Sequence, residues 1–174
     1  MPQHQITLTS LTGRLKLVPP NAADDMAVSV LRSHPITRRY LRFLPEHFSV
    51  DEARIRREKI AADDRIIDFH AHLQNNDGTT TFIGTLGLLD IDVLNDSCAV
   101  GILVSPDHHR AGIATEVLYT LLNFVFEDRK LHRAKFETGA DNDMMQVRKY
   151  LIYIHRDLMQ AELVRECGRC ATRV

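Results

Sequence analysis

Residues Ser105 to Ala114 read Ser-Pro-Asp-His-His-Arg-Ala-Gly-Ile-Ala, and they lie between two different hydrophobic periods. Before them, Cys98 to Val104 is a run of small and β-branched apolar residues, which predicts a strand. After them, Ala114, Val117, Leu118, Leu121, Leu122, Val125 and Phe126 recur three or four apart, which predicts a helix from about Ala111 to Arg129. A strand, a tight turn and a helix thus meet at Gly112. The first amides of a helix lack carbonyl partners, and the helix dipole is positive at that end. Together they make a phosphate site. A P-loop nucleotide site needs Gly-x-x-x-x-Gly-Lys-Ser/Thr, which this chain lacks.

The elements that must position this turn follow from the pattern along the chain. Ile6 to Val18 alternates loosely around Gly13 and reads as a strand or bent hairpin edge, ended by Pro19-Pro20. Asn21 is a plausible N-cap for a helix that carries Met26, Val30 and Leu31 and stops at His34-Pro35. Ser49 and Glu52 have the spacing of a capping box for a charged helix to Asp64, its arginines expected on a solvated face. Arg65 to Leu73, Thr79 to Ile91 and Ser97 to Val104 read as an antiparallel meander, turned by Asn75-Asn76-Asp77-Gly78 and Leu94-Asn95-Asp96. Ala134 to Thr138 is a further short strand. The expected fold class is α/β, a mixed and mostly antiparallel sheet flanked by helices, in one domain over residues 1–174.

Composition narrows the partners. Of 174 residues 44% are hydrophobic and 26% charged, and the net charge is −1. That balance argues against nucleic acid or an anionic membrane as a global partner. No apolar run approaches a membrane span and no secretory pattern opens the chain, so a cytoplasmic location is expected. Cys98 is expected in the core, and Cys167 and Cys170 form a C-x-x-C without companion ligands. No cluster has metal-ligand spacing, so no metal is expected.

The order of elements and the motif His109-Arg110-Ala111-Gly112-Ile113-Ala114 resemble the GNAT superfamily of N-acetyltransferases. Within it the chain is similar to the branch of ribosomal-protein N-terminal acetylases and related small-amine acetylases. Leu11-Thr12-Gly13-Arg14-Leu15-Lys16-Leu17 resembles that branch's opening strand, and Ile83-Gly84-Thr85-Leu86-Gly87-Leu88 a later one. Leu131-His132-Arg133, a strand and Ala140-Asp141-Asn142 complete the likeness. It implies acetyl-coenzyme A as co-substrate, its diphosphate on the amides of residues 109–114 and its thioester arm in a gap beside Val104. A backbone N–H in the Leu103 to Val104 region would polarise the carbonyl, and Asn142 would contact the cofactor arm. His109 stands where relatives have Arg or Gln, and Arg110 where glycine is common. Backbone donors tolerate both.

A general base is less visible. Relatives often carry a glutamate and an aromatic residue around the glycine of the strand ending at Val104; here those places hold Ala99 and Ile102. Glu137 is one substitute, and Asp90 and Asp92 are others that also read as turn acids. His70 and His72 alternate on one strand face and read as a surface pair, with proton relay the other reading. Tyr150 is a candidate acid for the leaving thiolate, eight residues after Asn142 where relatives have seven. Arg38, Arg39 and Arg42 fall where the resemblance puts the acceptor mouth.

The tail departs from the family pattern. Met144, Val147, Leu151, Ile154, Leu158 and Ala161 alternate spacings of three and four, which predicts a long C-terminal helix in place of a closing hairpin. Tyr150 to His155 also suits a strand. A helix would leave the strand at Ala134 to Thr138 without a neighbour, to be covered by that helix or by a second copy in a homodimer. The expected activity is acetyl transfer to a primary amine, a protein N-terminus or a small molecule. The alternative is an acyl-coenzyme A-binding or regulatory protein without turnover.

Overall fold

The computed structural model describes residues 4–109, 111–138 and 142, and the backbone of residues 160–165. Strands β1 (Leu8–Thr9) and β2 (Leu15–Val18) form a hairpin whose inward Leu15 and Leu17 are buried. A 3-10 turn, Ala22–Asp24, leads into α1 (Asp25–Ser33). Asn21 does not cap it as expected; its side-chain amide donates instead to Asp24 Oδ2 at 2.7 Å. Pro35 opens α2 (Pro35–Tyr40), where the missing proline N–H costs no helical bond. The capping box forms at α3 (Val50–Ala61): Glu52 N–H donates to Ser49 Oγ at 3.1 Å, and Ser49 N–H to Glu52 Oε2 at 2.7 Å.

The meander follows as β3 (Ile67–Gln74), β4 (Thr80–Asp92) and β5 (Ser97–Val104). Helix α4 (Ile113–Asn123) continues through one π turn, Phe124–Asp128, into β6 (Arg133–Thr138). The sheet order is β1-β2-β3-β4-β5-β6-β7, antiparallel as far as β5 and parallel across β5, β6 and β7.

Period-2 alternation sends one set of strand residues to each face. Phe69, Leu86, Leu88, Val100, Ala134 and Phe136 pack with Val117, Leu118 and Leu121 of α4 and Val125 of the π turn in one core. A fully buried leucine of this kind contributes about 2 kcal/mol by area. The opposite face carries α1 and α3, with Val28, Phe48, Ala53 and Phe82 in a smaller cluster. Arg57 ties those helices together by two 2.9 Å bonds to the Asp25 carboxylate. Arg56 pairs with buried Asp68, so the arginines of α3 are not a purely solvated face. Cys98 is buried as expected.

The chain end corrects the helical expectation. Ala161 is not on a helix: Gln160–Arg165 is strand β7, parallel to β6, with Ala134 opposite Ala161 and Phe136 opposite Leu163. The outer edge of β6 carries a row of backbone N–H and C=O groups, and ladder pairing satisfies them where a helix would not. The strand at Arg133–Thr138 therefore has its neighbour within the chain. Met144, Val147, Tyr150, Leu151, Ile154 and Leu158 lie outside the described residues.

Candidate active site

The turn into α4 has the geometry its sequence demands. Gly112 is the residue before the helix, at φ +73°, a left-handed conformation that glycine adopts without steric cost. It provides no side chain to cap the helix, so the amides of the first turn point outward unshielded. Two amides of the approach, His108 and His109, are spent on Ser105 and Pro106 carbonyls in a 3-10 turn. Among the described residues no such bond takes the amides of Ala111 or Gly112. Among the described residues, a Cβ on Gly112 would find Arg14 Nη2 at 4.0 Å as its nearest contact, so they leave the space above this turn open.

Charge is arranged to suit an anion. Glu116 lies in the first turn of α4, where a free carboxylate would repel one. Arg14 neutralises it, with Nε and Nη2 at 2.7 and 2.6 Å from Oε2, and the Thr12 hydroxyl donates to Oε1. Burial pushes the Glu116 carboxyl up, but the Arg14 and Thr12 bonds outweigh it and hold the group below its ordinary value. Arg14 also reaches the Ala111 carbonyl at 3.5 Å, tying the hairpin β1–β2 to the turn. Neither residue figured in the sequence-based site; the only signal was Arg14 in the Leu-Thr-Gly-Arg-Leu stretch.

The sheet opens next to this turn. β5 and β6 pair from Ser97–Arg133 to Val100–Phe136 and then part, although β5 runs on to Val104 and β6 to Thr138. Beyond that point β5 is held by β4, through Leu86–Ile102 and Gly84–Val104, and β6 by β7, through Glu137–Val164 and Thr138–Arg165. Ser105 N–H donates to the Ile83 carbonyl at 2.8 Å. Alternation along an antiparallel ladder then turns the Leu103 amide toward β4 and those of Ile102 and Val104 into the opening. Of the two residues expected to polarise a carbonyl, Val104 has its N–H on the open side. His109 Nε2–H donates to the Val104 carbonyl at 3.1 Å, fixing the turn to the strand end.

Glu137 is exposed, on the sheet face opposite α4, because its neighbours Phe136 and Thr138 are buried. Continued one step past Val100–Phe136, the register sets Glu137 across from Gly101, where the strands begin to part. Asn142 donates from Nδ2 to Thr138 Oγ1 at 2.9 Å, at the end of β6. Ile113 and Ala114 are the first buried residues of α4. Arg110 and Tyr150 lie outside the described residues. Asp90 and Asp92 are at the far end of the meander, where Asp92 is opposite Ser97. Hydrogen bonds from Asn95 hold the Asp92 carboxyl below its usual range, so it is a turn acid, roughly 23 Å of strand from Val104.

His70 and His72 are not a surface pair. His70 is 4% exposed, and both rings donate to one atom, Asp24 Oδ2, from His70 Nδ1 at 2.7 Å and His72 Nε2 at 3.0 Å. Phe82 meets both rings edge-on. Burial raises the Asp24 carboxyl, but the histidine bonds overcome it and leave the group well below the usual carboxylate range. The cluster pins the start of α1 to β3. No sequence signal pairs Asp24 with residues so distant. Among the described residues, no group of three or more acids, cysteines or histidines is placed to hold a metal.

A mixed sheet that parts beside an uncapped helix N-terminus defines, with these elements in this order, an acetyltransferase fold of the GNAT kind. The acetyltransferase (GNAT) domain model matches residues 14–147, and the chain belongs to that family. No curated protein sequence matches it. Its fold is shared with the spermidine N-acetyltransferase of Vibrio cholerae, solved with CoA and spermine, at 20% identity, 79% of each chain covered and a TM-score of 0.71. It is shared with the ribosomal L7/L12 alpha-N-protein acetyltransferase RimL, in complex with coenzyme A, at 15% identity, 85% and 83% coverage and a TM-score of 0.73. RimJ of Mycobacterium smegmatis, in complex with CoA-disulfide, gives 20% identity, 87% and 77% coverage and a TM-score of 0.69.

Proposed function

We propose that the protein transfers the acetyl group of acetyl-coenzyme A to a primary amine, a protein N-terminus or a small molecule, by direct transfer in a ternary complex. The observation that carries this reading is the parting of β5 from β6 directly beside the Gly112 turn. The residues fit the co-substrate: open space above Gly112, unshielded amides and a neutralised Glu116 suit a diphosphate. Three of the solved neighbours hold coenzyme A or its disulfide, and one of them spermine as well.

Bound acetyl-coenzyme A supplies an acetyl group activated as a thioester. The chain's own residues do the rest. Amides of Ala111, Gly112, Ile113 and Ala114, with that of Arg110, hold the diphosphate, and His109 braces them through the Val104 carbonyl. The Val104 N–H donates to the carbonyl oxygen, where negative charge develops. Leu103 lines the acceptor face, and Asn142 at the end of β6 holds the amide-rich arm. Glu137, at the mouth of the opening, attracts the amine and takes its proton. Tyr150 gives a proton to the departing thiolate. The cytoplasm is the proposed location, with no nucleic-acid partner and a homodimer as a possible assembly.

Calorimetry with acetyl-coenzyme A, coupled to a thiol-release assay over an amine panel, tests the proposal. Binding with thiol release for at least one amine is the expected result. Binding without release for any amine overturns it in favour of a non-catalytic acyl-coenzyme A-binding protein, a reading that the Ala99 and Ile102 replacements on β5 favour. Failure to bind overturns both.

A further inference from the structure

Among the described residues, the sheet face that carries Glu137 also carries two partly buried arginines around one carboxylate. Arg32, in the last turn of α1, lays its guanidinium over the Phe48 ring at 4.9 Å. Its Nε is covered from solvent and has no hydrogen-bond partner among the described residues. Its charged neighbours are Arg56 and Asp68. Arg56 already takes the Asp68 carboxylate at 3.0 Å, and that side chain is only 6% exposed. Two guanidinium groups therefore share one carboxylate. Burial, with the like charge of Arg56, pushes Arg32 down to about 10 against the pull of Asp68. A guanidinium held close to a like charge, with one N–H covered and unbonded among the described residues, gains from an added anion.

The place of this excess is specific. Asp68 is opposite Gly87 on β4, and Gly87 is opposite Gly101 on β5. A Cβ on Gly87 would come 2.6 Å from Asp68 Oδ1, so the carboxylate lies over the β4 backbone, and only glycine permits it. Among the described residues, a Cβ on Gly101 would meet just Leu89 Cδ1, at 3.4 Å, so they leave the space over β5 nearly free. A two-glycine floor thus runs from the Arg32–Arg56–Asp68 group to the point where β5 leaves β6. Two strand spacings make that about 10 Å. The Val104 N–H lies three residues, about 10 Å, further along β5, so the diagonal is about 14 Å; a near-attack amine contact and an ion-pair contact each occupy about 3 Å, leaving about 8 Å between amine and anion.

We propose that Arg32, backed by Arg56, receives a carboxylate of the acceptor, so that the amines acetylated here carry an acid about 8 Å from the amine. Peptide N-termini with an acidic second residue meet that requirement, and short amino acids and polyamines do not. This rests on the acetyl-transfer reading and names its substrate class.

The test uses the full chain, acetyl-coenzyme A and thiol release. Acceptors are compared in pairs that differ only by acid against amide: Ser-Asp and Ser-Asn, and Ser-Glu and Ser-Gln, as peptides with amidated C-termini, with spermidine beside them. The acid member is expected to exceed its amide by about 10- to 100-fold in kcat/KM, the worth of a charge-assisted bond. Arg32→Gln should abolish that preference through KM, and Arg32→Lys should keep part of it, with coenzyme A affinity by calorimetry unaltered in both. The wild-type acid-to-amide ratio stands whether or not a variant folds. Equal rates for acid and amide, or spermidine as the best acceptor, overturn this inference and leave acetyl transfer intact. Turnover of no amine overturns both.

Discussion

Gly112→Ala isolates the contribution of the turn. Among the described residues the new methyl has no atom nearer than Arg14 Nη2 at 4.0 Å, so it clashes with none of them. Its intrinsic cost is the positive φ of +73°, about 1 to 2 kcal/mol for a residue with a Cβ. Gly78 is a matched control, at φ +85° with nothing within 4 Å, in the hairpin turn between β3 and β4. Gly78→Ala should lose the same stability and no coenzyme A affinity. In Gly112→Ala the methyl occupies the space left for the diphosphate and displaces it from one or two amides. A hydrogen bond to a charged group is worth about 1.5 to 3 kcal/mol, which is about 10- to 150-fold in Kd. Calorimetric titration with coenzyme A, beside thermal melts of both variants, measures the two effects separately. Wild-type affinity in a folded Gly112→Ala protein, or an equal affinity loss in Gly78→Ala, would refute the assignment of this turn.

Three further outcomes are expected. Glu137→Gln should lower kcat by about 100-fold or more with little change in coenzyme A affinity; an unaltered pH–rate profile in this variant would remove Glu137 as base. Asp24 is held below its ordinary value in the folded state, so the stability it contributes is present above the unfolded value of about 4 and is lost as pH falls below it. Urea midpoints measured from pH 7 down to pH 2 should therefore fall less steeply for Asp24→Asn than for wild type, from a lower starting value; parallel slopes would contradict the coupling to His70 and His72. Leu118 is fully buried in the α4 core, and Leu118→Ala should destabilise by about 2 to 5 kcal/mol in denaturant titration.

Local signals in the sequence were strong where one element accounts for its own residues. The Ser49–Glu52 capping box, the Asn75–Gly78 turn, the stop at His34-Pro35 and the apolar stripe of α4 each depend on neighbours within a few positions. They read correctly because propensity and period act over that range. The tail misled for the same reason: Met144 to Ala161 has a helical period, yet the unpaired edge of β6 set the conformation of Gln160–Arg165. His70 and His72 likewise alternate as a polar strand face would, and the charge that draws them inward belongs to Asp24.

The sequence by itself determined the order of elements from β3 to β6, the glycine at the entrance to α4 and the family, because these reside in contiguous runs and fixed spacings. The tertiary structure alone decided which backbone amide faces the opening between β5 and β6, since that depends on the register of β5 against β4. It also decided that Arg14 neutralises Glu116 and that Arg32 and Arg56 share Asp68. Those pairs join residues far apart in the chain, and only the packed sheet with its helices brings their charges within reach of one another.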